Sequence, residues 1–287
     1  MSKSLDRLTL LSNFARIAER GSISAAARDQ NLSQASASRQ LAALEAQLGV
    51  QLIQRTTHSL ALTEAGQDCL QEARILLDGW EALTEKVGDT APGGPLRIVT
   101  PIALGQQQLA RAALAFQQDH PSITLTWLLD DDPIRFSEIG CDLWIKVGTV
   151  PDDTLVVQPL GRVERLIVAA PSLLADTGVT PDDLNTLPCA ALAPYEGGKV
   201  PLHNADGDQV TITPPVAIMT NNIFAAREAA LMGLGFTVMP KWFVADALAH
   251  GTLIDVLPDW RAPSLTVNAA YLPAQRQTER LRLFRDH

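Results

Sequence analysis

Residues 21–66 read GSISAAARDQNLSQASASRQLAALEAQLGVQLIQRTTHSLALTEAG, and this stretch decides the fold. Ser24 suits the N-cap of a short helix over residues 25–30, whose Ala25, Ala26 and Ala27 let a second helix pack close. Asn31-Leu32-Ser33 reads as a tight turn with Leu32 as a buried plug, and Ser33 can cap the next helix. There Ala37, Leu41, Leu44 and Leu48 recur at helical spacing, which makes one buried face, and Gly49 is a natural stop. The other face opens with Gln34, Ser36, Ser38 and Arg39 beside the cap Ser33. These are side chains that can meet base edges and phosphates at a helix N-terminus: Gln pairs with adenine, Arg with guanine, Ser with either base or phosphate. Residues 51–54 and 60–62 read as two short strands, and between them Arg55, Thr56, Thr57, His58 and Ser59 form a polar tip. Arg55 suits a minor groove and the hydroxyls suit phosphates. The pattern is that of a winged helix-turn-helix; the same residues also suit three packed helices with no nucleic-acid partner.

The rest of the chain frames that head. The 287 residues allow two or three domains, and 46% hydrophobic residues with a mean hydropathy of +0.07 fit a globular core. No apolar run is long enough to span a bilayer, and MSKSLDRLTLL lacks the apolar centre and cleavage site of a signal peptide, so a cytoplasmic location and no membrane partner are expected. The net charge of −9 is unevenly spread. Residues 1–66 hold seven Lys or Arg against five Asp or Glu (+2), residues 67–90 two against six (−4), and residues 91–287 fourteen against twenty-one (−7). A basic head on an acidic body still binds DNA, because phosphate contacts are local and screened over roughly 8–10 Å. Cys69, Cys141 and Cys189 have no C-x-x-C or Cys/His spacing, so neither a disulfide framework nor a metal site is expected; they read as apolar fillers, with a redox pair as the sharper alternative.

In chain order, residues 5–20 form a first helix with Leu8, Leu11, Ala15 and Ala18 as its stripe and Phe14 beside it. Thr63 caps a long helix to about residue 87, in which Cys69, Ala73, Leu76, Trp80, Leu83 and Val87 recur at 4, 3, 4, 3 and 4 residues, a dimerising seam. Asp68, Glu72, Asp78, Glu81 and Glu85 read as its solvated face. Residues 89–95, DTAPGGP, are a hinge. From Leu96 onward strands and helices alternate, which predicts a mostly parallel sheet in two α/β lobes: strands at 96–100, 123–129 and 141–147, and helices at 106–118, near Ser172, at 223–232 and at 241–249. A strand over 265–272 and a last helix over 279–285 return to the first lobe.

The ordered run of motifs resembles the LysR-type transcriptional regulators. GSISAAA, SQASASRQ, LEAQLG, LIQR and LTEAG stand in that family's order, with Ile23 where Phe is usual and His58 where Arg is frequent in the wing. PLRIVTP, DHPSITL, GCDLWIKVG, ERLIVAAPSLLA, PDDL and AAREAALMGLGFTVMP resemble its effector domain, so the likeness covers nearly the whole chain. The resemblance implies an α + α/β architecture. A winged helix-turn-helix at 1–63 is followed by a dimerising linker helix at 64–88, a hinge at 89–95 and a two-lobed effector domain at 96–287, similar to a type 2 periplasmic-binding protein. Lobe 1 is expected at about 96–162 and 268–287, and lobe 2 at about 163–267. The partners implied are double-stranded promoter DNA carrying an interrupted palindrome, a second copy or a dimer of dimers, a small-molecule effector with no other cofactor, and RNA polymerase for an activator.

Ligands of open α/β sheets lie beyond the carboxyl ends of strands. That nominates Thr100, Pro101 and Ile102, then Asp130 to Asp132, then Val147, Gly148 and Thr149; in the second lobe it nominates Pro194, Asn221, Asn222 and Met239. Thr100, Asn221 and Asn222 also suit helix caps. Many relatives by motif carry Ser-Asp-Arg where this chain has Asp130-Asp131-Asp132, which points to a neutral or amine-bearing effector. Among other chemistries, the chain has no G-x-S-x-G, H-E-x-x-H, Walker loop or G-x-G-x-x-G, and its five His are scattered, so no enzyme is expected. The competing readings are a small-molecule-binding protein or enzyme that uses the N-terminal helices only to oligomerise, and a redox-controlled regulator.

Overall fold

The computed structural model describes residues 6–55, 60–87, 92–132, 134, 136, 140–174, 178–192, 198–273 and 278–287; the side chains of Arg55, Glu85 and Lys86 lie outside that description. The first three helices are α1 (Arg7–Arg20), α2 (Ile23–Asp29) and α3 (Gln34–Leu48). Asp6 caps α1, and its buried stripe is Leu10, Phe14 and Ile17 with Asn13. Leu8, Leu11 and Ala18 are only half-buried, so the stripe is rotated from the expected one; Ala15 is buried as expected. Asn13 earns its burial by donating from Nδ2 to the Ala37 carbonyl at 2.9 Å, which ties α1 to α3. Ser22, not Ser24, caps α2, its Oγ accepting from Ala25 N at 3.3 Å, because the helix begins two residues earlier than the alanine run suggests. Asn31 takes φ of 54°, the left-handed conformation that Asn tolerates, and this turns the chain from α2 into α3. Leu32 is half-buried against the same core.

Ser33 caps α3 and Gly49 ends it in the left-handed region, as expected. Leu48 does not share the buried face: it is 51% exposed, since α3 has passed the edge of the core by its last turn. Two strands follow, β1 (Ile53–Arg55) and β2 (Leu60–Leu62), paired antiparallel. Glu45 fixes this ribbon to α3, its Oε1 accepting from Leu52 N at 2.9 Å and Ile53 N at 3.3 Å. Thr63 then caps the long helix α4 (Glu64–Val87), its Oγ1 accepting from Gly66 N at 2.9 Å. A Cβ on Gly66 would lie 2.0 Å from the Leu52 carbonyl oxygen, so only glycine lets α4 leave the wing at this angle.

The remaining chain forms a mixed sheet of nine strands. Along its main path the order is β11 (Thr237–Pro240), β6 (Val156–Ala169), β13 (Trp260–Tyr271), β5 (Leu143–Val147), β3 (Gly94–Thr100) and β4 (Ile123–Leu129). The strands β8 (Val200–Asn204), β9 (Gln209–Ile212) and β12 (Ile254–Asp255) attach to it, while β7 (Cys189–Leu192) and β10 (Val216–Thr220) pair separately. The expectation of a mostly parallel sheet fails. Among the described strands, parallel pairing joins only β3 to β4, β3 to β5 and β7 to β10. The reason is the pair β6 and β13, of 14 and 12 residues, which run antiparallel through both lobes from Val156↔Tyr271 to Arg165↔Ala262. The β8–β9 hairpin is a further element that the sequence reading did not anticipate.

The helices of this part also shift. From Ile102 one rod runs through α5 (Ile102–Leu104), a π turn (Gly105–Leu109) and α6 (Ala110–Asp119), so it starts four residues before the expected 106. A Cβ on Gly105 would lie 2.3 Å from Thr100 Cγ2, so glycine lets the π turn settle on the end of β3. α7 (Ile223–Leu231) stands as expected. The expected 241–249 helix splits into a 3-10 turn (Lys241–Phe243) and α8 (Ala245–Ala249), and the helix near Ser172 is a 3-10 turn (Pro171–Leu173). α9 (Glu279–Asp286) closes the described chain.

Separate apolar cores mark the bodies. One lies under α1–α3 and the start of α4, one around β3, β5 and the end of β13, and two more in the second lobe. Where α4 meets the first lobe, a charge cluster lies beside the apolar contact of Ile75. Arg280 of α9, 2% exposed, faces Asp78 at 3.5 Å, Glu81, and Asp142 at 3.7 Å. Asp78 and Glu81 therefore do not belong to a solvated face, although Asp68 and Glu72 are exposed as expected; the Glu85 side chain lies outside the described residues.

Candidate DNA-reading helix and effector cleft

The N-terminus of α3 is built by its own short side chains. Ser33 Oγ accepts from Ser36 N at 3.1 Å and donates to Ser36 Oγ at 2.9 Å, and Arg39 Nη2 donates to Ser36 Oγ at 3.3 Å. Ser33, Gln34 and Arg39 are exposed, Ser36 and Ser38 are half-buried, and Ala37 and Gln40 turn inward. The helix thus presents an amide and a guanidinium on the side opposite Ala37, Leu41 and Leu44, an orientation fixed by the core behind it. Of the wing, Thr56 and Thr57 lie outside the described residues, as does the Arg55 side chain.

On α4 the expected seam divides. Leu76, Trp80, Leu83 and Val87 are 55%, 52%, 51% and 78% exposed, an apolar row along the half of the helix farther from the head. Ala73 is buried by its own chain and Cys69 is half-buried, because the first turns of α4 pack on the core of α1–α3. Those two positions are corrected from seam to intramolecular packing.

Between the lobes lies a cavity of about 490 Å³. Pro101, Val147 and Asn221 line it, as the sequence reading nominated. The other nominees do different work. Thr100 is fully buried beneath the cleft, and Met239 is fully buried in the core of the second lobe because the alternation of β11 turns it away. Asn222 caps α7, its Oδ1 accepting from Phe224 N at 3.0 Å and Ala225 N at 3.3 Å. Gly148 is engaged with β13: its N–H donates to the Thr266 carbonyl and its own carbonyl accepts from Asn268 Nδ2, each at 2.8 Å. Asp130 turns back to accept from Asp132 N at 3.0 Å. Ile102 contributes its backbone N–H, which donates to Asp131 Oδ1 at 3.0 Å. Pro194 lies outside the described residues.

Sequence reasoning nominated Asp131 and Asp132, which line the cavity, but missed the cations of the same wall. Lys146 on β5 and Arg165 on β6 line the cavity together with Asp131 and Asp132, and Trp242 and Val238 supply apolar surface. The available signal was a lone charge: Lys146 adjoins the nominated Val147 in a strand otherwise apolar. Arg165 became a wall residue only through the long pairing of β6 with β13. Burial pushes the Asp131 carboxyl up from its ordinary value; the Ile102 N–H opposes this and Asp130 adds to it. Two of the three cysteines, Cys141 and Cys189, are buried. Burial raises the Cys189 thiol to about 12 and the Cys141 thiol further, and Cys141 Sγ donates to the Leu143 carbonyl at 2.9 Å.

Comparison with known proteins agrees with this architecture. Residues 8–67 match the bacterial regulatory helix-turn-helix protein model of the lysR family, and residues 89–287 match the LysR substrate binding domain. The HTH-type transcriptional regulator YhjC of Escherichia coli K12 is 30% identical over 290 residues, covering 98% of this chain and 96% of the relative. PtxR of Pseudomonas aeruginosa is 30% identical over 296 residues, covering 99% and 94%. Among solved structures, the full-length virulence activator AphB of Vibrio cholerae is 26% identical, with a TM-score of 0.57 over 98% of each chain. With an N-terminal helix-turn-helix and a two-lobed ligand-binding domain both matched, the chain belongs to the LysR family of transcriptional regulators.

Proposed function

We propose that this regulator reads an interrupted inverted repeat in double-stranded DNA as a dimer or a dimer of dimers. Ser33, Gln34, Ser36, Ser38 and Arg39 of α3 are the base and phosphate contacts, with Arg55, Thr56 and Thr57 of the wing on the flanking backbone or minor groove. The observation that carries the reading is the pairing of two exposures. Ser33, Gln34 and Arg39 are exposed at the N-terminus of α3, and the apolar row Leu76, Trp80, Leu83 and Val87 is exposed on the helix that leads away from it. A row of large apolar side chains at heptad spacing suits a second copy of the same helix. At about 1.5 Å per residue the 24 residues of α4 are roughly 36 Å long, enough to separate two DNA-reading heads.

The inter-lobe cavity is the effector site, and the effector acts by favouring one arrangement of the heads, which requires unequal affinity for the two arrangements. The domain limits follow the same reading, except that β3 already begins at Gly94: the head at 1–63, the linker at 64–88, and the effector domain from 94, with its lobes divided near 162 and 268. The protein works in the cytoplasm, catalyses no reaction, and as an activator would contact RNA polymerase.

The test is selection from random duplex DNA at physiological salt, wild type against Gln34→Ala/Arg39→Ala. Wild type is expected to recover an inverted repeat that the double variant loses, each good bidentate contact being worth about 1–3 kcal/mol. Failure of the wild type to enrich any sequence would sink the reading of α3.

A further inference from the structure

The inter-lobe cavity holds two carboxylates and two cations, and their partners specify the ligand further. Asp131 Oδ1 accepts from Ile102 N at 3.0 Å, so the protein's own carboxylate already occupies the backbone donor nearest that wall. Asp131 Oδ2 is enclosed and has no hydrogen-bond partner among the described residues. An enclosed carboxylate oxygen without a donor is costly, and a ligand that brings a donor removes the cost. Asp132 stands beside it. A second anion brought against Asp131 and Asp132 would be repelled; an ammonium, with three donors and a positive charge, fits.

The opposite charge is equally present. Lys146 is half-buried on the cavity wall; its Nζ lies 5.7 Å from the Trp144 ring centroid and has no ion-pair partner within 4.0 Å among the described residues. Arg165 is held in position by donation from Nε to the Pro263 carbonyl at 2.8 Å. A purely cationic ligand would meet these two charges unfavourably. The remainder of the wall, including Leu104, Val163, Val238 and Trp242, is apolar. The volume of about 490 Å³ lies within the ordinary range for small-molecule sites, roughly 300–1,000 Å³.

We infer that the cavity takes a small zwitterion: an ammonium group against Asp131 and Asp132, a carboxylate against Lys146 and Arg165, and an apolar body along the Trp242 side. The inference rests on the cavity being the effector site. It narrows the expectation of a neutral or amine-bearing effector, because Lys146 and Arg165 supply the cations that the sequence around Asp130 lacks.

Calorimetry on the full-length protein tests it with two matched sets. One is L-phenylalanine, 3-phenylpropionate and 2-phenylethylamine; the other is L-leucine, 4-methylpentanoate and 3-methylbutylamine. At least one amino acid is expected to bind tenfold or more tightly than both its deaminated and its decarboxylated partner. Asp131→Asn is expected to weaken the amino acid about tenfold while strengthening the plain carboxylate, a crossover that a merely structural role would not produce. Lys146→Met is expected to weaken the amino acid and the carboxylate but not the amine. The inference is overturned if a plain carboxylate or amine equals its amino acid in the wild type, if Asp131→Asn leaves the preference unchanged, or if no probe binds at millimolar concentration. DNA selection on the same preparations separates the two readings: a recovered inverted repeat without zwitterion binding removes this inference alone, and zwitterion binding without a recovered repeat removes the regulatory one.

Discussion

At the scale of single residues, enclosure decides which groups do chemistry. Asp131 has a folded-state pKa raised above its unfolded value by burial. Its protonated form is therefore favoured by folding, and the stability it lends below the ordinary carboxylate range is lost as pH rises through the folded value. Asp131→Asn keeps an oxygen for Ile102 N and removes the charge, so the melting temperature of the variant relative to wild type is expected to improve from about pH 4 to pH 7. Parallel melts at several pH values check this; a difference that is flat or falls with pH would refute it. Gly66 is a steric case. Alanine there places a methyl 2.0 Å from the Leu52 carbonyl oxygen, and Gly66→Ala is expected to lower stability by about 1–3 kcal/mol, read from chemical denaturation of the wild type and variant. Cys141 and Cys189 are buried thiols held protonated, so both are expected to resist a thiol reagent near pH 8 until the protein unfolds. Rapid native labelling of either would revive a redox role.

The elements divide their surfaces unevenly, and α4 shows it best. Its first turns bury Leu70 on the head, and its later turns leave Leu76, Trp80, Leu83 and Val87 uncovered. Leu76→Asp/Leu83→Asp is expected to leave the head folded and shift the protein from dimer to monomer in sedimentation velocity, since charge in a heptad seam disfavours the pairing. A variant that sediments as wild type would place the interface elsewhere. The short cap residues were legible in the sequence where a helix started from a lone Ser or Thr, as at Ser33 and Thr63. They were misplaced at α2, where Ser22 and Ser24 both precede the alanine run and only the packing of Ile23 into the core selects the first.

Across the whole molecule, Arg280 joins what the chain order keeps apart. It lies on the last helix, and the carboxylates around it come from the linker helix and from the start of β5. Nearby, Arg74 of α4 pairs with Glu19 of α1 at 3.6 Å, and its guanidinium rests against Gly140, where a Cβ would approach Nη2 to 2.4 Å. The linker therefore meets the head and the first lobe through charge as well as through the apolar contacts of Leu70 with the head core and Ile75 with the first-lobe core. Arg280→Met leaves Asp78, Glu81 and Asp142 without their shared cation and is expected to cost about 3–5 kcal/mol, with earlier proteolysis of the linker helix. A loss under about 1 kcal/mol, with unchanged proteolysis, would show that the junction does not couple these bodies.

The head was legible in the sequence because most of its signals are local, although the tie from Asn13 to Ala37 spans 24 residues. The turn at Asn31, the cap at Ser33, the stop at Gly49 and the LTEAG start of α4 each act within a few residues, and helical spacing names the buried face. The sequence also determined that the second half is two-lobed α/β, since strand and helix patterns alternate there. The direction of the long strands was not legible, because it rests on the pairing of β6 with a β13 that lies about a hundred residues later. The same pairing brought Arg165 to the cleft that Lys146 and Asp131 also line. Met239, by contrast, was carried into the core, and Asp78 and Glu81 were gathered around Arg280. Charge and polarity can be read one residue at a time, but burial and partnership depend on contacts between distant segments, and those exist only once the chain has folded.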